Sequence, residues 1–142
     1  MKRIVIAAVL VALGASAAVA GPIEDRQQLM KNVQAATKDG AGLARGAVPF
    51  DAAKAKAVLD VYIDASAKLP GLFPVGSDKG AKNAADPKIW SDMAGFKAEA
   101  AKFGADAKAG LAATDAASFK VAFTKITADC TSCHGTYRLK QQ

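Results

Sequence analysis

The stretch that decides the reading is Cys130-Thr131-Ser132-Cys133-His134-Gly135-Thr136-Tyr137-Arg138, a C-x-x-C-H-x-x-Y-R pattern. Cys-x-x-Cys-His is the attachment signature of c-type haem. The spacing has a physical reason. On a helix, positions i, i+3 and i+4 share one face, so two thiols and the next imidazole point the same way. The thiols can add to the two vinyl groups of one porphyrin while the imidazole reaches its iron. His134 is the one histidine of the chain, so it has no rival as a nitrogen ligand. Other chemistries use similar patterns. A thioredoxin-type dithiol follows a strand near a βαβ unit, and no strand pattern precedes Cys130. Zinc needs a fourth ligand, which an acidic residue would have to supply. A disulfide three residues apart leaves His134 unexplained.

Working outward, the motif closes the last of four segments with helical spacing. That segment starts near Thr114 or Asp115 and carries Phe119, Ala122, Phe123, Ile126, Cys130, Cys133, His134 and Tyr137 on one stripe. The first runs from about Ile23 to Leu43, with Leu29, Met30, Val33 and Ala36 on one face. The second opens at Asp51, a good N-cap, with Phe50 placed as a staple. Its stripe is Val58, Val61, Tyr62, Ala65 and Leu69. The third has Asp86 as cap and Pro87 at the first helical position. Ile89, Trp90, Met93, Phe96, Ala100, Phe103 and Ala107 follow at 3–4 spacing. Gly95 and Gly104 weaken it by about 1 kcal/mol each relative to alanine. The expected fold is all-α, an antiparallel four-helix bundle with covalently bound haem near the C-terminus. Residues 70–86 are punctuated by Pro70, Gly71, Pro74, Gly76 and Gly80 and have no periodicity; loops of that length are commonly functional.

Residues 1–20 read as a signal peptide. Lys2 and Arg3 precede the apolar run Ile4 to Leu13, and Ala18-Val19-Ala20 is a small-x-small cleavage site. The expected mature domain is 21–142, exported to the periplasm, an oxidising compartment, with no membrane association after cleavage. Losing Lys2 and Arg3 takes the formal charge from +6 to +4. The 142 residues suit one domain, and 34 alanines favour helix over sheet. Aromatics at 6% and the absence of a basic stripe argue against nucleic acid. No second base, nucleophile or metal constellation is present, so a non-enzymatic role is expected.

With these residues in view, the chain resembles the class II c-type cytochromes, that is cytochrome c′ and its low-spin relatives. The resemblance rests on Arg26-Gln27-Gln28-Leu29-Met30-Lys31, Pro49-Phe50-Asp51, Leu69-Pro70-Gly71-Leu72-Phe73-Pro74, Pro87-Lys88-Ile89-Trp90 and the Cys130–Arg138 pattern. It implies one covalent haem c on Cys130 and Cys133, with His134 as proximal iron ligand. It implies that Arg138 lies beside His134, that Arg26 approaches the haem propionates, and that Trp90 and the 70–86 loop pack along the haem edge. Solvated charges for Arg26 and Arg138, and plain core for Trp90, are the alternatives.

The resemblance also places Met30, four residues after Arg26, on the distal side of the haem. If Met30 ligates, the iron is six-coordinate, thioether ligation raises the potential, and the protein carries single electrons between redox partner proteins. If Met30 only fills space, the iron is five-coordinate and meets diatomic gases such as nitric oxide or carbon monoxide. Met93 reads as core. A haem-free dithiol oxidoreductase is the third reading. Some members of the resembled family form homodimers through the first two helices.

Overall fold

The computed structural model describes residues 21–80 and 82–140; the expected signal peptide, residues 1–20, lies outside them. Among the described residues there are five α-helices: α1 (Pro22–Ala44), α2 (Ala52–Lys68), α3 (Lys88–Ser91), α4 (Met93–Gly110) and α5 (Ala116–Tyr137). The long ones, α1, α2, α4 and α5, form the expected four-helix bundle. None is long and apolar enough to cross a membrane.

Local chemistry explains the boundaries. Asp51 accepts from the backbone N–H groups of Ala53 (2.9 Å) and Lys54 (3.0 Å), satisfying donors that the helix cannot. Asp115 and Ser118 form a reciprocal capping box at the start of α5. Gly46 turns the chain out of α1 with φ +68°, a conformation that costs glycine least. Val58 to Ile63, whose β-branched residues could suit a strand, is helical, because its inward residues recur at 3–4 spacing.

The main core is built from the inward stripes. Val33, Ala36, Leu43, Val58, Leu59, Tyr62, Ala107, Phe119, Phe123 and Ile126 are its buried residues of note. Phe50 packs on Phe119 at 6.0 Å between ring centroids. A second, smaller core holds Phe73, Ile89, Phe96 and Tyr137.

One expectation is corrected. The third helix is not continuous: α3 ends at Ser91, Asp92 leaves helical geometry (φ −132°, ψ 52°), and α4 begins at Met93. The Asp92 carboxylate caps the new helix by accepting from Gly95 N (3.1 Å) and also accepts from Tyr137 Oη (2.7 Å). The break is therefore held from 45 residues away. Its entry lies one residue later than expected, with Pro87 at the N-cap and Lys88 first in the helix, and Asp86 accepts from Lys88 N at 2.8 Å. The 70–86 loop opens with one 3₁₀ turn, Leu69–Leu72. Gly104 does not simply weaken α4. A Cβ there would collide with Ser66 Oγ, so glycine lets α2 and α4 approach closely.

Candidate functional site

Helix α5 continues through the whole Cys-x-x-Cys-His pattern, so Cys130, Cys133 and His134 share the face expected of them. Both cysteines are free and half-buried. The Cys130 thiol donates a weak bond to Ile126 O at 3.6 Å. Burial pushes the Cys130 thiol pKa up, assisted by the charge of Asp129. Burial likewise pushes Cys133 up to about 11, with Glu99 and Cys130 adding to it. His134 is pushed down, first by desolvation and then by Arg138, which favours the neutral imidazole that metals need.

Beside this face lies a cavity of about 510 Å³ lined by Cys130, Thr131, His134, Gly135, Arg138, Leu139 and Lys140. Past Tyr137 the chain becomes extended and pairs with the end of the long loop. Asp86 N donates to Tyr137 O (3.0 Å) and Leu139 N donates to Ala84 O (2.9 Å). Arg138 and Leu139 are thereby held against the loop and the cavity.

Cys133 lies instead against an aromatic cluster. Trp90 packs edge-on to Phe73 (5.7 Å), Phe73 on Phe96 (4.8 Å) and Phe96 on Tyr137 (5.4 Å). Cys133 and Met93 join this cluster as half-buried members. Met93 is thus core, as its spacing implies. Trp90 Nε1 donates to Pro74 O at 3.1 Å, tying the loop down.

Arg26 is buried, at 6% exposure. Its guanidinium donates to Ser77 O (2.7 Å) and Ser77 Oγ (3.5 Å) and lies over Phe73 (4.6 Å) and Trp90 (5.8 Å). Burial lowers its pKa, which the nearby Glu24 opposes. A solvated helix-end charge, the plainer reading of Arg26, does not describe this residue.

The structure therefore brings Cys130, His134 and Arg138 onto one cavity, and Cys133, Trp90 and Arg26 into one aromatic neighbourhood. Met30 belongs to neither set. It is half-buried on α1, one turn after Arg26.

The donor set fits covalent haem. Two free thiols stand one turn apart on one helix face, the adjacent imidazole favours its neutral form, and an open cavity lies alongside. Two residues that the sequence reading does not single out also lie here. Asp129 is 3% exposed, and Glu99 has a buried oxygen. The signal was available: each sits three residues after a buried apolar residue, Ile126 and Phe96. A carboxylate on an inward stripe is an anomaly worth marking.

Comparison with known proteins agrees with this picture. A family model described as Cytochrome C′ matches residues 21–138. A cytochrome c-556 of Agrobacterium fabrum is 43% identical over 124 residues, 86% of this chain and 84% of that protein. A cytochrome c′ of Rhodopseudomonas palustris is 39% identical over 142 residues, covering 98% and 97%. Among solved structures, cytochrome c′ from Rhodopseudomonas palustris superposes with a TM-score of 0.82 at 37% identity, covering 87% of this chain and 100% of that one. Oxidised cytochrome c556 from the same organism superposes with a TM-score of 0.77 at 30% identity, covering 85% and 98%.

Proposed function

The chain belongs to the cytochrome c′ family and carries covalent haem c, and from this we propose that it is a periplasmic carrier of single electrons. Its mature domain is 21–142 after removal of residues 1–20, a boundary supported by the family match beginning at residue 21. Haem c supplies one-electron ferric/ferrous chemistry. Cys130 and Cys133 hold it by two thioethers, and His134 is the iron's proximal ligand. Arg138 stands beside the imidazole. Arg26 and Trp90 would approach its edge, and their bonds to Ser77 O and Pro74 O tie down the long loop there.

Met30 is the sixth ligand in this reading. The observation that carries it is the placement of Met30 one turn after Arg26 on α1, while Arg26 itself lies over Trp90, which like Cys133 packs against the smaller core. Thioether ligation keeps the geometry of the two oxidation states alike and favours the ferrous one. The chain acts on no substrate; its partners are proteins that give or take one electron. Its positive charge supports steering towards acidic partner surfaces.

Absorption spectra of ferric and ferrous protein test this. Sharp, split ferrous bands that broaden and become sensitive to carbon monoxide in Met30→Ala are expected. An unmodified protein with one broad ferrous band that carbon monoxide shifts would instead be a five-coordinate, gas-binding cytochrome c′.

A further inference from the structure

Among the described residues, two buried side-chain oxygens lack a hydrogen-bond partner: Glu99 Oε2 and Asp129 Oδ2. They come from packed helices, α4 and α5, and one accompanies each cysteine. Asp129 immediately precedes Cys130, and its charge acts on that thiol. Glu99 accepts from Ser132 Oγ at 3.5 Å, and its charge acts on the Cys133 thiol.

The neighbouring cations do not cancel these carboxylates equally. Lys102 pairs with Asp129 and Asp106, and Lys125 pairs with Asp106. The lysine side chains are 55% and 65% exposed, whereas those of Asp129 and Asp106 are 4% and 11% exposed. Water screens the lysines strongly and the buried oxygens weakly. With Glu99 included, three carboxylates stand against two lysines, a net charge of −1.

We propose that Asp129 and Glu99 are the residues of this chain that hold down the reduction potential of its haem. The proposal rests on attachment through Cys130 and Cys133. Reduction takes one electron from a one-electron donor protein and converts ferric haem to ferrous haem. No bond forms or breaks and no proton moves, so the site's charge falls by one. Buried negative charge beside the attachment point opposes that added electron. The effect counters the rise that a methionine ligand brings, and charge and burial are recognised determinants of such potentials.

The test is a redox titration of haem-loaded protein with mediator dyes at neutral pH. Asp129→Asn and Glu99→Gln should each shift the ferric/ferrous balance about threefold towards ferrous haem. The double variant should shift it about tenfold, about 59 mV upward for one electron. Asp129→Glu, which keeps the charge, should stay at the parent potential. Absorption bands should be unchanged throughout, showing that the iron ligands are the same. Should Asp129→Asn not accumulate, Asp129→Ser takes its place, and Glu99→Gln is read independently. Haem-loaded neutral variants whose potentials stay still or fall overturn the proposal. Haem stoichiometry and peptide mass are measured on every variant. Haem absent from the peptide holding Cys130 and Cys133 overturns the attachment reading, and this proposal with it.

Discussion

Replacing Arg26 by alanine should destabilise the haem-loaded protein by about 2 kcal/mol. The guanidinium donates to Ser77 O at 2.7 Å. A charge-assisted bond of this kind is worth about 1.5–3 kcal/mol. Its positions over Phe73 and Trp90, at 4.6 and 5.8 Å, add about 1 kcal/mol. Against these stands desolvation, which the lowered Arg26 pKa records. No carboxylate forms a salt bridge with this guanidinium among the described residues, so relief of that cost returns part of the loss. With a urea m-value of about 2 kcal/mol/M, the midpoint falls by about 1 M. Hydrogen exchange should quicken at Ser77, whose N–H donates to Pro74 O within the loop that Arg26 holds. An exposed helix-end arginine would cost within about 0.5 kcal/mol. A loss that small, with exchange at Ser77 unchanged, would refute the assignment of Arg26 as the loop's anchor.

Two glycines on helices should respond with opposite signs to alanine. Gly104→Ala forces its Cβ into Ser66 Oγ, and overpacking of about 1–3 kcal/mol outweighs the gain of about 1 kcal/mol in helix propensity. Gly42→Ala meets only Val48 Cγ2 at 3.8 Å and should stabilise by about 0.5–1 kcal/mol; thermal unfolding of both variants, with Ser66→Ala as a relieving partner for Gly104→Ala, checks this. Asp106 is held down to about 2 from an ordinary 3.8, first by Lys125 and then by Lys102. Because its folded pKa is depressed, its stabilisation is complete above pH 4 and is lost as pH falls towards 2. Asp106→Asn should therefore flatten the acid limb of a stability–pH curve in that window, and an unchanged limb would refute the pairing.

The division between sequence and tertiary structure is physical. Periodicity is a local property, so the four long helices and their inward stripes were legible, as was the cap at Asp51, whose bonds reach only two or three residues. The Cys130–His134 face was legible for the same reason: i, i+3 and i+4 coincide on any α-helix. The break at Asp92 was not. Proline, asparagine and glycine mark local stops, but this stop depends on Tyr137, whose hydroxyl reaches Asp92 only once α5 has packed. Gly104 read as a weak point because propensity counts the helix alone, while its value lies in contact with Ser66 on α2. Arg26 could have been an ordinary surface charge; only folding of the long loop brings Phe73, Ser77 and Trp90 around it. Asp129 and Glu99 follow the same rule. Sequence determines that they are carboxylates on inward stripes, but the packing of α4 on α5 removes their oxygens from water, and burial gives a charge its reach.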